Sequence, residues 1–385
     1  MSPTIHIARR ARVIEPTMIR SLRSEMKPST IDFGIGQGDL PVADPVLQQW
    51  RHQGPVSAPY TPNAGLDEAR AAVAAHEECR PEEVILTCGV QQGLALALYG
   101  LCDDGDEVLI PDPGFPAYAN LVRSAGATPV SYPLRPPTEN RPGWQLDVEA
   151  IDARLSSSTR ALLLNNPGNP TGSVFQPQAL QALVSTLAAR SIPYISDEIY
   201  GDYDWVDRFR SLRRLPDSGP GITLSGLSKS HHLMGWRLGW LISDEGTVEA
   251  LTPLHQHLVT CAPRPAQEAA IAALAHHDSV MEENHRVFGG RRQRVIDVLG
   301  DEVDGLTEAC AGAFYCCLDV RPWLESFGDT ATMARQLLDQ EDVMVIPGEG
   351  FGPQGLGHLR IAYTIGEPQL SEGLKRIQQF LHRHQ

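Results

Sequence analysis

The sequence predicts an α/β protein: a large three-layer domain built on a mostly parallel sheet, and a smaller α+β domain. Short, continuously apolar segments alternate with amphipathic segments of helical length between residues 84 and 242. Apolar strands of this kind are buried on both faces, which is typical of parallel sheets covered by helices. Beyond residue 311 fewer helices separate the strand-like segments, which indicates a second, smaller unit.

Each element has its own local signal. The segment LDEARAAVAAHEE, which starts at Leu66, is rich in helix formers and has acidic residues in its first turn. A long helix is predicted from Met281 to Leu299. The predicted strands are VILT (84–87), EVLI (107–110), ALLL (161–164), PYIS (193–196), ITLS (222–225), GWLI (239–242), GAFYCCLDV (312–320), VMVI (343–346) and HLRIAY (358–363). Other helices are predicted near 91–101, 117–125, 176–190, 330–340 and 369–382.

The length of 385 residues suits two or three domains. We expect residues 1–45 to form an N-terminal arm that completes the small domain. Residues 46–285 are expected to form the large domain, and residues 286–385 the small C-terminal domain.

Charge and composition exclude several classes of protein. The 32 basic and 47 acidic residues give a net charge of −15, which argues against nucleic acid or an anionic membrane as a partner. No apolar run approaches the roughly 18 residues that a membrane-spanning helix needs. The N-terminal residues lack the apolar region of a secretory signal.

Cysteine and histidine spacing bears on compartment and metal content. The seven cysteines are odd in number and form no CxxC pair, so we expect free thiols and a cytoplasmic protein. His255 and His257, and likewise His276 and His277, are not spaced to place two ligands on one helical face. We therefore expect no metal site.

Ligands of parallel α/β sheets bind at the carboxyl ends of the strands, so the residues that follow each strand are candidates for a site. After VILT, the turn CGVQQG opens a helix whose first N–H groups, from Gly89 to Gln91, favour a phosphate. After EVLI, Phe115 and Tyr118 offer rings that either stack on a heteroaromatic ligand or pack in the core. For the turn CGVQQG, the alternative is that its glycine only allows a tight start to the helix and that no ligand binds there.

The next two strand ends are polar. ALLL is followed by NNPGNPTG, where Asn169 is positioned to donate to an oxygen unless the segment is only a sharp turn. PYIS is followed by DEIY, with Asp197 and Tyr200. A carboxylate at the end of a buried strand needs a cationic partner such as a pyridinium N–H, unless it caps a helix.

The stretch TLSGLSKSHHLMGWRLGW (223–240) contains Ser228, Lys229 and Arg237. A lysine whose pKa is lowered attacks carbonyl groups, and an arginine with hydroxyls and free N–H groups binds phosphate. Together they suggest a Schiff-base lysine beside pyridoxal phosphate (PLP); the alternative is a surface lysine and a structural arginine. On the small unit, Arg360 either binds a substrate carboxylate or forms a structural ion pair.

The motifs NPGNPTG, DEIY, SGLSK with GWRLGW, and RIAY occur in this order, and the chain from GIGQGDLP to RIAY resembles the class I/II aminotransferases of fold type I. The resemblance implies PLP in the large domain and transfer of an amino group between an α-amino acid and a 2-oxo acid. Enzymes of this fold that eliminate from, cyclise or oxidise amino acids are the alternative.

The resemblance also implies roles for single residues. Lys229 would form the Schiff base and move the proton, Asp197 would bond the pyridine nitrogen, and Arg360 with the Gly36 backbone would hold the substrate carboxylate. Tyr200 and Asn169 would hold the ring hydroxyl, Phe115 would stack on the ring, and Val90, Gln91, Arg237 and either Ser225 or Ser228 would bind the phosphate. Tyr60, in YTPNAG, would reach the phosphate of the neighbouring subunit, so a homodimer is implied.

The sequence departs from the family pattern at three points. Gly226 stands where many relatives have a hydroxyl residue, which leaves the choice of serine open. No second arginine for a substrate side-chain carboxylate is identified. His231 and His232 occupy positions often held by Thr, Tyr or Arg, and they either tune the substrate pocket or lie exposed or behind it.

Overall fold

The computed structural model describes residues 5, 7–14, 16–53 and 59–384, and this part of the chain contains twelve strands and sixteen α-helices. The strands are β1 (Ile31–Asp32), β2 (Val84–Thr87), β3 (Glu107–Asp112), β4 (Thr128–Pro133), β5 (Thr159–Asn165), β6 (Tyr194–Asp197), β7 (Gly221–Gly226), β8 (Gly239–Ile242), β9 (Tyr315–Asp319), β10 (Val343–Met344), β11 (Ile346–Pro347) and β12 (His358–Ala362). The helices are α1 (Arg9–Arg12), α2 (Met18–Arg23), α3 (Asp44–Gln53), α4 (Asp67–Glu77), α5 (Val90–Leu101), α6 (Ala117–Ser124), α7 (Val148–Asp152), α8 (Pro177–Ala189), α9 (Leu227–Ser230), α10 (Glu245–Val259), α11 (Arg264–Ala275), α12 (His277–Leu299), α13 (Leu306–Ala309), α14 (Leu324–Phe327), α15 (Thr330–Glu341) and α16 (Gln369–Arg383).

Seven strands form one sheet in the order β2-β8-β7-β6-β5-β3-β4. All neighbouring pairs are parallel except those of β8, which is antiparallel to both β2 and β7. The prediction of a mostly parallel sheet is therefore confirmed. One strand of this sheet was missed: β4 carries Pro129 and Pro133 and lies at the edge, where a strand tolerates proline and needs no continuous apolar run.

Alternation along single strands explains why both faces of this sheet are covered. Ala161 and Leu163 of β5 belong to the apolar cluster under α5, α6 and α10, whereas Leu162 and Leu164 belong to the cluster under α7 and α8. Successive side chains of a strand point to opposite faces, so an all-apolar strand supplies two cores at once. The result is the predicted three-layer arrangement.

The smaller unit contains an antiparallel sheet, β11-β12-β9, and a parallel pair in which Ile31 of β1 lies opposite Val343 of β10. A large apolar cluster joins β1, β9, β10 and β12 to α12 and α16. The boundaries expected at 45/46 and 285/286 lie inside α3 and α12, so each helix would cross from one domain to the other. That division stays a prediction.

None of the described helices is long and apolar enough to cross a membrane. All seven cysteines are unpaired.

Candidate functional site

A cavity of about 310 Å³ lies at the edge of the large sheet where β5, β6 and β7 end. The predicted site residues that line it are Gly36, Val90, Gln91, Phe115, Asn169, Asp197, Tyr200, Ser228, Lys229, Arg237 and Arg360. Ser225 and Tyr60 were also predicted, but neither lines the cavity. Residues from the seven-stranded sheet, from the β11-β12-β9 sheet and from the N-terminal segment thus meet at one place.

Lys229 follows β7 directly, in the short helix α9, and its amine is enclosed by apolar rings. Nζ donates a hydrogen bond of 2.6 Å to the carbonyl oxygen of Gly36, and it lies 5.7 and 5.6 Å from the ring centroids of Tyr200 and Phe314. Burial, together with the positive charge of Arg360, lowers the pKa of Lys229 to about 8. The amine is therefore far closer to neutrality than a surface lysine, and the alternative of a surface lysine is wrong.

Asp197 is the last residue of β6 and is buried at the floor of the cavity. Its Oδ2 accepts a hydrogen bond of 2.8 Å from Tyr118 Oη, and its Oδ1 accepts one of 3.3 Å from the N–H of Ile199. Burial raises the pKa of Asp197 to about 6 despite these bonds. The segment that follows is a turn and not a helix, so the helix-capping alternative is wrong.

Arg360 lies on β12 with only 2% of its surface exposed. Its Nη1 donates to Asn169 Oδ1 at 3.2 Å, its Nη2 donates to the carbonyl oxygen of Gly34, and its Nε has no acceptor. The guanidinium also stacks on the Tyr315 ring, 4.7 Å from its centroid. Arg360 forms no ion pair with any carboxylate between residues 59 and 384 or in the described N-terminal segments, so the structural ion pair is wrong. A buried guanidinium without an acidic partner is suited to an anionic ligand.

Tyr315 is a site residue that the sequence did not reveal. Its hydroxyl lies 2.8 Å from the hydroxyl of Tyr200, and a Cβ on Gly36 would lie only 1.7 Å from it. In the sequence it is one apolar position of the strand GAFYCCLDV, with no polar neighbour to mark it. Only the approach of the N-terminal segment turns that position into part of the cavity.

The start of α5 and Arg237 form a positively charged cradle. Gly89 precedes the helix with φ 79°, no side chain caps it, and the N–H groups of Val90 and Gln91 have no acceptor in the described part of the chain. Arg237 Nη2 donates to the carbonyl oxygen of Cys88 at 3.3 Å, and a Cβ on Gly89 would lie 2.6 Å from that nitrogen. Free N–H groups beside a guanidinium are a typical anion site.

The structure separates the two candidate serines. Ser228, at the start of α9, lines the cavity. Ser225 lies within β7, opposite Trp240 of β8, and does not.

Comparison with known proteins identifies the family. A family model for aminotransferases of class I and II matches residues 28–377. The chain belongs to the class I and II aminotransferases.

Similar proteins match over nearly the whole length. The putative aminotransferase YugH of Bacillus subtilis is 31% identical over 395 residues, covering 99% of each chain. An aspartate aminotransferase of Streptomyces avermitilis is 31% identical, covering 94% of this chain and 91% of that protein. The solved aspartate aminotransferase of Thermotoga maritima has a TM-score of 0.88 at 29% identity, covering 98% of this chain and 100% of that one. The predicted fold type I architecture and aminotransferase activity, between an α-amino acid and a 2-oxo acid, are therefore confirmed.

In this aminotransferase, Tyr60 lies apart from the cavity of its own chain. It is 84% exposed, which is unusual for a large aromatic side chain.

His231 and His232 of the aminotransferase are buried, with 1% and 7% of their surface exposed, and neither lines the cavity. His231 Nε2 donates to the carbonyl oxygen of Ala273 at 3.1 Å, so Nδ1 accepts from Ser230 Oγ at 2.9 Å. His232 Nε2 lies 3.1 Å from Asn284 Oδ1. Burial lowers the pKa of both rings. An exposed position for this pair is thus wrong, and the two rings lie behind α9, the short helix that carries Lys229.

Proposed function

We propose that this aminotransferase binds PLP in the cavity at the strand ends and carries out amino transfer there, with Lys229 at the cofactor aldehyde. One observation carries the proposal: the cavity brings together Lys229, Arg237 and Arg360, whose hydrogen bonds go only to backbone carbonyls and one amide oxygen. Within the described residues, no carboxylate is paired with any of them. Three unpaired cations in one cavity suit a ligand pair that carries a phosphate and a carboxylate.

The residues that line the cavity fit PLP at its phosphate, at its ring nitrogen and at its ring hydroxyl. The N–H groups of Val90 and Gln91, with Ser228 and Arg237, would hold the phosphate. Asp197 would accept the N–H of the pyridine ring, because a buried carboxylate without a cation is best stabilised by one. Phe115 would cover the ring, and Tyr200 and Asn169 would bond its hydroxyl.

When bound, PLP supplies an aldehyde for the substrate amine and a ring that withdraws the electron pair of the broken Cα–H bond. The chain supplies the proton transfer. Burial lowers the pKa of Lys229 to about 8, so about half of its amines are neutral at pH 8, and the neutral amine would accept a proton from the substrate Cα and deliver it to the aldehyde carbon of the cofactor. Arg360 and the backbone of Gly36 would orient the substrate carboxylate, which fixes the Cα–H bond against Nζ.

The substrate end of the cavity favours an apolar side chain. Ile35 precedes Gly36, and Ile19 packs on the cluster that contains Phe351, the ring that stacks 4.9 Å from Arg360. Arg360 would bind the α-carboxylate and Arg237 the phosphate, which leaves no lining arginine of the described chain for a second carboxylate. We therefore place apolar amino acids ahead of aspartate as donors.

The assembly and location are also proposed. The exposure of Tyr60 supports a homodimer in which this tyrosine reaches the partner's phosphate. Seven unpaired cysteines support a reducing compartment such as the cytoplasm. We propose an arm of residues 1–45, a PLP-binding domain of residues 46–285 and a small domain of residues 286–385.

A spectroscopic screen tests the proposed reaction. Purified enzyme loaded with PLP is mixed with single amino acids, and the cofactor band is followed. We expect conversion to the amine form of the cofactor by leucine, methionine or phenylalanine, at rates at least about tenfold above aspartate, and restoration by the matching 2-oxo acid. Ammonia release without the amine form would instead indicate elimination or oxidation, and a preference for aspartate would contradict the substrate class.

A further inference from the structure

Three metal-binding side chains meet outside the cofactor cavity. They are His76 near the end of α4, Asp202 in the turn after β6, and His277 at the start of α12. One ring nitrogen of each histidine and one carboxylate oxygen lie within 4.8 Å of one another. His277 Nε2 is 3.4 Å from Asp202 Oδ1, and the two histidine ring centroids are 4.4 Å apart.

Of the four imidazole nitrogens in this trio, only His277 Nε2 has a side-chain partner in the described part of the chain, namely Asp202. His277 Nδ1 is buried without a hydrogen-bond partner. In the described part of the chain, His76 makes ring contacts with Trp240 and His277 but no side-chain hydrogen bond. A buried ring nitrogen without a partner, such as His277 Nδ1, is costly unless a ligand engages it, and the His76 ring is left available to a ligand.

The trio is accessible. A second cavity, of about 560 Å³, opens beside it and is lined by His76 and His277. This space provides an entry path and room for a water as an additional ligand. Tetrahedral zinc, with bonds of about 2.0–2.2 Å, holds ligand atoms roughly 3.3–3.6 Å apart, so the side chains need to close by about 1 Å.

The surroundings hold these side chains in place. The carbonyl oxygen of Asp202 accepts a hydrogen bond of 2.6 Å from His285 Nε2, which lies about two turns further along α12 than His277. The His231 ring centroid lies 5.3 Å from that of His277, but both of its nitrogens are already engaged, so it supports the site and is not a ligand. Glu77, the residue that follows His76 on α4, forms an ion pair with Arg213.

We propose that His76, Asp202 and His277 bind one divalent transition-metal ion of the zinc class. Two imidazoles and a carboxylate with an open position suit Zn²⁺, Co²⁺ or Ni²⁺ and not Mg²⁺ or Ca²⁺. None of the three lines the cofactor cavity, so the ion would act on structure: it would link α4, the turn after β6 and the first residue of α12. That linkage would anchor the helix that leads into the smaller unit.

Metal titration of the PLP-loaded enzyme tests the site. Enzyme stripped with a chelator is dialysed against Zn²⁺ and its metal content measured, and Co²⁺ is used as a visible probe. We expect one ion per chain and the intense visible bands of four-coordinate Co²⁺. His76→Gln and His277→Gln should each weaken Zn²⁺ binding by at least about 100-fold. His276→Gln is the matched control, because His276 lines the same cavity outside the trio, and it should bind as the wild type does.

A second measurement needs no variant. Bound Zn²⁺ should protect His76 and His277, but not His276, from diethyl pyrocarbonate, as mapped by mass spectrometry. Wild-type enzyme that binds less than about a tenth of an equivalent would overturn the site. So would unchanged binding in His277→Gln, or equal modification of all three histidines with and without Zn²⁺.

Discussion

Lys229 Nζ donates a hydrogen bond of 2.6 Å to the carbonyl oxygen of Gly36. This bond joins the lysine after β7, in the large sheet, to the segment that leaves β1, which pairs with the smaller unit. The position of the smaller unit therefore sets the surroundings of the amine. Glycine is needed at position 36 for this segment to lie so close, because a Cβ there would collide with the Tyr315 hydroxyl.

Gly36→Ala should lower kcat/KM by about 10- to 100-fold, because the methyl group overpacks the contact with Tyr315. Steady-state kinetics measure the effect. Gly290→Ala, at a glycine with open space around it, is the control and should leave kcat/KM unchanged. Equal activity of the two variants would refute a tight approach at Gly36.

The carboxyl group of Asp197 should make the stability of the cofactor-free protein depend on pH. Its pKa of about 6 lies above the ordinary 3.8, so the native state holds this proton more tightly than the unfolded state. The resulting stability is complete below pH 4 and is lost as pH rises through about 6, by about 3 kcal/mol.

Asp197→Asn removes that titration while keeping an acceptor for Tyr118. Urea unfolding from pH 4 to 7 should therefore show the wild type losing stability relative to the variant as pH rises. At the same time the variant should bind PLP more weakly and lose at least about 100-fold in kcat. Parallel stability profiles would contradict the raised pKa.

Arg360→Lys should raise KM and lower kcat/KM for amino acids by about 30- to 1000-fold, since one ammonium cannot replace the two-pronged guanidinium. PLP content should not change. A primary amine without a carboxylate provides the internal control: both enzymes should convert it at the same low rate. An equal loss with that amine would mean that Arg360 acts only through the fold.

Tyr60 can be tested by subunit mixing. Tyr60→Ala and Lys229→Ala should each have little activity alone, because one loses a phosphate contact and the other the amine. In the proposed dimer, the site on the Tyr60→Ala chain of a mixed pair would keep its own Lys229 and receive Tyr60 from its partner. Refolding the two variants together should restore roughly a quarter of wild-type activity, from random pairing with one intact site in each mixed dimer. Failure to restore activity would contradict a shared site.

Much of the site could be predicted because its residues lie at strand ends. Asp197 and Lys229 each follow an apolar strand of the same parallel sheet, so their convergence follows from topology alone. The N-terminal Gly36 was placed only through family resemblance, since nothing local links it to residue 229.

The residues that sequence reading missed depend on contacts between distant segments. Tyr315 is an ordinary apolar-strand position until Tyr200 approaches it. Tyr118 was a candidate for ring stacking, but its hydrogen bond to Asp197 was not predicted. The trio of His76, Asp202 and His277 was overlooked for the same reason: the expectation of no metal site rested on histidines that are neighbours in sequence. Spacing in the sequence could not distinguish Ser225 from Ser228. The structure does, because Ser225 lies within β7 opposite Trp240, whereas Ser228 lines the cavity.

The proposed attachment of the cofactor to Lys229 can be measured directly. The chain has three lysines, Lys27, Lys229 and Lys375. Borohydride reduction of the PLP-loaded enzyme fixes the cofactor to the amine that holds it, and peptide mapping by mass spectrometry then identifies that residue. The structure predicts one cofactor per chain on the peptide that contains Lys229. Attachment to Lys27 or Lys375, or no stoichiometric attachment, would contradict the proposed site.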